Sequence, residues 1–320
     1  MKLPLNQKYL DNLLNYRESA LEHAGNDRTL YLNHMLNYRE FCAQSKEAQS
    51  LGEDMERALK KAVADQDHAS VQRLLVTFYQ GVLTAYWRSG CDHSRLIFQI
   101  IPFLSCASYD NIFRAFPKEL PLSEYGHTMC INGANLVQCI LYPGMYDTEK
   151  VIEKAETHIN SKQPKWDRAF VACLLGVLKN DAELFSQNIQ LLCELHSRND
   201  ISKFLKIRCV FAYGMWVFAK HNMVSDVFAK VKMPVYKNFD KEYLTYISEN
   251  AFSTEPVYVH PEPFTEFNYL FEIPIPITRL YQPYFNNENY TKREQKVRYL
   301  DTENMNMQCV EEIMKRIGES

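Results

Sequence analysis

The spacing of apolar side chains along this chain is helical over most of its length. Leu10, Leu13, Leu14 and Leu21 recur at helical intervals between residues 5 and 24, and the cluster Gly25-Asn26-Asp27 ends that run. A second helix is predicted over 28–45. The two helices share the phrase Leu-Asn-Tyr-Arg-Glu, at 14–18 and 36–40. A solenoid needs at least a third copy and there is none, so the phrase marks two similar amphipathic helices in an antiparallel hairpin. Helices over 52–64, 68–89 and 92–101 follow. The fourth carries Val71, Leu74, Leu75, Phe78, Val82 and Tyr86 at helical spacing.

Residues 105–122 contain two prolines and read as brief helical turns between longer elements. Beyond them the pattern predicts helices from Ser123 to Pro143-Gly144, over 147–161, from Pro164 to Asn180, over 182–197 and over 201–221. Asn180-Asp181 is a tight turn that joins two of them into a hairpin. The last helix contains Cys209–Ala219, an unbroken apolar run fenced by Lys206, Arg208 and Lys220. Such a run is buried on every side, and it is far shorter than the roughly 20 apolar residues that a membrane span needs. It is the expected post around which the hairpins pack, with Asp200 or Ser202 as its cap.

After Pro234 the pattern changes. Between Phe239 and Thr278 seven carboxylates face one lysine, and nine aromatic residues are interleaved with them. Prolines at 256, 261, 263, 274 and 276 forbid a continuous helix beyond about residue 252, so this part is extended, with short strands expected at 257–259 or 269–273. Lys292, Arg293, Lys296 and Arg298 turn the chain basic before a last amphipathic helix over 304–317. The pattern therefore predicts an all-α fold: a compact array of antiparallel helical hairpins around a buried helix near 201–221, followed by an extended Pro- and aromatic-rich C-terminal segment. Three regions are expected, 1–104, 105–252 and 253–320, in one continuous structural unit.

Composition agrees with helices and narrows function. The chain has 320 residues, 46% apolar and 23% charged, which is globular, and only 10 glycines, few for a fold rich in turns. A net charge of −3 carries no polyanion-binding signature, so no direct nucleic-acid partner is expected. The opening MKLPLNQKYLDNLLNYRE lacks the apolar core and cleavage site of a signal peptide, so a cytoplasmic protein without membrane attachment is expected. Nine cysteines, an odd number scattered through apolar stretches, read as buried hydrophobes in a reducing compartment.

No phosphate-loop, dinucleotide or nucleophile-elbow glycine pattern occurs, nor H-E-x-x-H or C-x-x-C. The expectation is a non-enzyme with no cofactor and no catalytic residues. Three pairs have metal-like spacing: Cys91 with His93, His127 with Cys130, and Cys193 with His196. With nine cysteines and nine histidines, chance pairs are expected, and no metal site is assigned. Trp87, Trp166 and Trp216 sit among large apolar residues and read as core.

The acidic, aromatic segment is the most informative stretch. Its aromatics either pack back on the helices while the carboxylates face water, or both form a docking face for a basic protein; the two readings can hold for different residues. The docking reading uses Asp240, Glu242, Tyr243, Tyr246, Glu249, Glu255, Tyr258, Glu262, Phe264 and Glu266. Charge would speed encounter, and aromatic anchors would supply most of the binding energy.

The order WDRAFVACLLGVLKND, a helix ending CELH, then VFAYGMWVFAKHNM, a proline and an aromatic-acidic helix resembles the all-helical immunity proteins of bacterial polymorphic toxin systems, of the immunity-49 type. The resemblance covers the central and C-terminal half and brings no catalytic residues. It implies a protein that binds a cognate toxin domain and covers its active surface, with a nucleic-acid-targeting toxin expected, since an acidic inhibitor can occupy a surface built for phosphate. The alternative is a helical-repeat adaptor that holds a peptide or protein in a groove.

Overall fold

The computed structural model describes residues 2–43, 46–84, 92–199, 201–253, 255–282 and 297–318, with side chains described outside 40–51. Helices dominate, and the fold is all-α. In chain order the helices are α1 (Gln7–Ala24), α2 (Arg28–Ala43), α3 (Lys46–Ala64), α4 (His68–Leu83), α5 (Ile97–Phe103), α6 (Asn111–Ala115), α7 (Thr128–Leu141), α8 (Thr148–Ile159), α9 (Lys165–Lys179) and α10 (Ala182–Leu195). They continue as α11 (Lys203–Lys206), α12 (Val210–Asn222), α13 (Ser225–Phe228), α14 (Lys241–Glu249) and α15 (Thr302–Ile317). Short 3-10 turns occupy His93–Leu96, His196–Arg198 and Thr265–Phe271. The one ladder among the described residues pairs β1 (Leu280–Tyr281) with β2 (Tyr299–Leu300), antiparallel, Leu280 opposite Leu300. Trp87 and Cys91 lie outside the described residues, as do Asp200, Lys292, Arg293 and Lys296.

Two compact units divide the chain: 1–89 with 251–279 and 301–320, and 90–250 with 280–300. The boundaries expected at 104/105 and 252/253 thus give way to others at 89/90 and 250/251, and the expected C-terminal region is shared between the units.

In the first unit the Asn6 side chain accepts from the Tyr9 N–H and starts α1, while Gly25, at φ +57°, turns the chain into α2. The shared phrase brings Tyr16 and Tyr38 face to face, centroids 3.8 Å apart. Leu13, Tyr31, Leu32 and Met35 of this hairpin form one core with Phe264, Phe267, Leu270 and Ile273 and with Cys309, Val310 and Ile313 of α15. The proline-rich stretch is therefore an ordered part of that core. Gln80 of α4 donates to the carbonyls of Leu270 and Ile273 at 3.1 and 2.8 Å, and the Val257 N–H donates to Thr77 Oγ1 at 3.1 Å.

The second unit stacks its hairpins in chain order. α7 packs against α8 and α9, α9 against α10, and α12 against α5, α9 and α10. Asn180, left-handed at φ +51°, closes α9, and Asp181 caps α10 by accepting from Glu183 and Leu184. Residues 224–238 then run beside α10, fastened by Asn180 Oδ1 to the Val224 N–H, Ser186 Oγ to the Lys232 N–H and Gln190 to both polar groups of Val235.

The expected helix over 201–221 is two helices. The Cys209 N–H donates to the carbonyl of Asn238 and the Val210 N–H to that of Arg208, so the ladder is interrupted between α11 and α12. Nor is the apolar run buried all round. Val210 to Met215, Phe218 and Ala219 are interior, whereas Trp216 and Val217 are half-buried, Trp216 lying edge-on to Phe228.

Candidate functional site

The ten residues expected to form an acidic docking face divide between the units: Asp240, Glu242, Tyr243, Tyr246 and Glu249 belong to the second, and Glu255, Tyr258, Glu262, Phe264 and Glu266 to the first. Four of them are interior, which corrects the expectation for those positions. Tyr243 is fully enclosed and donates to the carbonyl of Ser105 at 3.0 Å. Tyr258 and Phe264 are buried, because the prolines around them hold a short irregular path whose aromatic side chains turn inward together with Phe267 and Phe271. Glu266 is 6% exposed, 3.5 Å from the Arg28 guanidinium, and burial pushes its carboxyl above the usual range.

Three of the remaining carboxylates have local work. Asp240 caps α14 through the N–H groups of Glu242 and Tyr243 and pairs with Arg208 at 3.1 Å. Glu255 pairs with Arg73 at 3.1 Å, and Glu262 accepts from Thr265. Glu242 and Glu249 are exposed on α14, with Tyr246 half-buried between them. Among the described members of the pairs with metal-like spacing, His196, Cys193 and His127 make contacts within the fold. His196 meets the carbonyl of Leu205 at 2.7 Å, Cys193 lies against Cys209, and His127 Nε2 is 4.0 Å from the Asp167 carboxylate. Neither His127 and Cys130 nor Cys193 and His196 belongs to a close set of three ligand atoms among the described residues.

A different surface emerges at the end of the second unit where α7 and α12 terminate. The Tyr109 ring lies flat on the His221 imidazole, centroids 4.0 Å apart and 10° from parallel, and its hydroxyl accepts from Asn222 Nδ2 at 2.6 Å. Phe113 of α6 stands beside it, 6.0 Å from Tyr109 and 6.4 Å from Tyr142, with 42% of its surface exposed. Met145, just past α7, is 53% exposed. Phe113 and Met145 together leave apolar area open beside the Tyr109 and Tyr142 rings.

The backbone behind these rings is held by polar side chains, Gln138 buried and Tyr142 and Tyr146 half-buried. Tyr142 donates to the carbonyl of Phe116 at 2.6 Å and Tyr146 to that of Leu120 at 2.8 Å. Gln138 donates to the carbonyls of Leu120 and Pro121 and meets His93 at 3.0 Å. Burial pushes the hydroxyls of Tyr109 and Tyr142 up to about 12, so both are neutral at any physiological pH. Burial also lowers His221 from its ordinary value.

What this surface offers is partly exposed aromatic area, with the Tyr109 and Tyr142 hydroxyls turned to partners within the fold. The signal missed in the sequence is Phe113 itself, which lies in a five-residue helix too short to show a periodic face. Comparison with known proteins leaves this geometry to stand alone: no family model, no curated protein and no solved structure matches the chain.

Proposed function

We propose that this chain is a protein-binding inhibitor of the immunity type, which neutralises a cognate toxin domain by covering its active surface, with the ring face of the second unit as its principal contact. The observation that carries this reading is the open Phe113 ring, framed by Tyr109 and Tyr142 on a backbone that side-chain hydrogen bonds hold in place. Preformed aromatic anchors bind without the entropic loss of ordering a loop. The exposed Glu242 and Glu249 of the same unit add the charge that speeds encounter with a basic, nucleic-acid-targeting partner. The resemblance of 166–246 to immunity proteins points the same way.

The test is co-expression with the product of the adjacent gene. The full chain restores growth to cells that the product arrests and forms a complex with it, and Phe113→Ala weakens that complex at least about tenfold. Glu242→Lys with Glu249→Lys slows association and steepens its salt dependence. A neighbour that is not toxic, or that this chain fails to bind, overturns the inhibitor reading; undiminished affinity in Phe113→Ala overturns the surface.

A second reading is favoured by one observation. The hairpins α7–α8 and α9–α10 and then α12 pack in sequence order, as in helical-repeat adaptors that hold a peptide. Equal affinity for an intact partner and for one short segment of it would select the adaptor.

A further inference from the structure

Among the described residues the first unit contains a buried positive charge with no negative one beside it. Arg39 of α2 is 5% exposed. Its guanidinium hydrogen-bonds the Tyr258 hydroxyl, and its Nε is enclosed without a partner. Among the described residues no carboxylate lies within ion-pair distance of it; the buried Glu266 is taken by Arg28, and Glu255 by Arg73. Nor does it lie over a ring, as Arg28 does over Tyr31. Arginine cannot shed its proton to escape this environment, so an enclosed guanidinium calls for a counter-charge.

Two other groups meet this guanidinium. Arg39 and Tyr258 converge on Gly81 of α4, where a Cβ would meet the Tyr258 hydroxyl at 3.8 Å and Arg39 Nη2 at 4.0 Å. Gly81 is half-buried, and a Cβ added there would stand at ordinary contact distance from both groups. The guanidinium donates to the Tyr258 oxygen, which leaves the hydroxyl's own proton to donate onward. His260 stands beside Tyr258, ring centroids 5.9 Å apart, with Nε2 3.2 Å from the Tyr9 hydroxyl. Its backbone is clamped by Asn268, which accepts from the His260 N–H at 2.7 Å and donates to its carbonyl at 3.0 Å.

We propose that Arg39 and Tyr258, over the bare backbone of Gly81, bind a small oxyanion, a carboxylate or a phosphate group, which completes the charge balance of the first unit. The guanidinium fork matches two oxygens of such a group, and the tyrosine hydroxyl supplies a third donor. His260 is held neutral, first by burial and then by the Arg39 charge, so it adds shape and no competing positive charge. The site is independent of the ring face and of the inhibitor reading built on it.

The experiment is thermal unfolding of the full chain, dialysed free of oxyanions, during titration with sodium phosphate, sodium acetate or sodium chloride at one ionic strength. Phosphate, acetate or both raise Tm saturably, by about 5 °C at a hundredfold excess over the dissociation constant, and chloride does not. A response to phosphate alone identifies a phosphate site, and a response to acetate a carboxylate site. Arg39→Met removes the response and in oxyanion-free buffer unfolds at a higher temperature than the parent, because an apolar side chain replaces an uncompensated charge. Tyr258→Phe keeps the fold and weakens the response at least about fivefold in apparent affinity, so the proposal does not depend on the Arg39 variant folding. Equal shifts in all three salts, or a response that survives both substitutions, overturn it.

Discussion

His260 shows how far one residue's chemistry depends on where the fold puts it. In the sequence it is one of nine histidines in a proline-rich stretch; in the structure it is wholly enclosed between Tyr9, Tyr258 and Phe267. Burial, aided by Arg39, lowers its pKa to about 3, against roughly 6.5 for an exposed imidazole. Between those two values the unfolded chain binds a proton that the folded chain refuses, so stability falls as pH drops from 6.5 toward 3. At pH 5 the difference amounts to about 2 kcal/mol from this group alone. His260→Gln, which keeps a polar atom for Tyr9, should remove that share: denaturant titrations at pH 7 and pH 5 would show the variant losing about 2 kcal/mol less than the parent. His93, His158 and His196, also lowered by burial, add slopes of the same sign to both proteins, and these cancel in the comparison. An identical loss in both proteins would place His260 in water. The same dependence on burial explains why Tyr243, Tyr258, Phe264 and Glu266 read as contact residues in the sequence: a list of acidic and aromatic letters does not say which way each side chain turns.

At the scale of elements, helices and their ends are legible because their causes are local. Asp67, Asp147, Asp181 and Asp301 cap the helices that follow them, and Gly25 and Asn180 supply left-handed turns. The break before α12 is not local, since it rests on the Cys209 N–H reaching the carbonyl of Asn238, a residue 29 positions later. The hold of α12 on α5 is equally invisible. Gly214 presses against the backbone at Ile101 and Pro102, and a Cβ there would overlap the Ile101 carbonyl oxygen far inside contact distance. Gly214→Ala should therefore cost at least about 3 kcal/mol, as overpacking against a rigid backbone rather than a flexible side chain. By contrast, Gly52→Ala on the open face of α3, where nothing lies within 4 Å, should gain about 0.5–1 kcal/mol from helix propensity alone. Chemical denaturation of the two variants measures both signs; a tolerated Gly214→Ala would mean that α5 and α12 do not touch in solution. Trp216, expected to be core, is half-buried, so its removal should cost less than the roughly 3–5 kcal/mol typical of a buried tryptophan.

At the scale of the whole chain, the sequence suggests three consecutive regions, and the contacts recombine them. The first unit takes its N-terminal helices from 1–89 and closes its core with two later segments, 251–279 and 301–320. Periodicity cannot reveal this, because each segment is self-consistent as a helix or a proline-rich turn and the pairing between them is written only in shape. α15 is the closing piece. Met305, Cys309, Val310 and Ile313 enter the core, Asn306 donates to Asn37 at 2.7 Å, and Gln308 bonds both polar backbone groups of Ile277. Met305, Val310 and Ile313 at about 1.5–3 kcal/mol each are comparable to the stability of an ordinary domain, roughly 5–15 kcal/mol. Deleting 301–320 should therefore leave Leu32, Met35 and Phe267 facing water and open α1 and α2 to proteolysis and amide exchange under native conditions. A synthetic peptide of 301–318 added in trans should restore protection, since the helix carries its own ends, with Asp301 as N-cap and Gly318 left-handed at the C-terminus. Unchanged exchange in α1 and α2 of the truncated chain would show that the core closes without α15; protection restored by the peptide and not by one with Val310→Asp and Ile313→Asp would show that these apolar side chains close it.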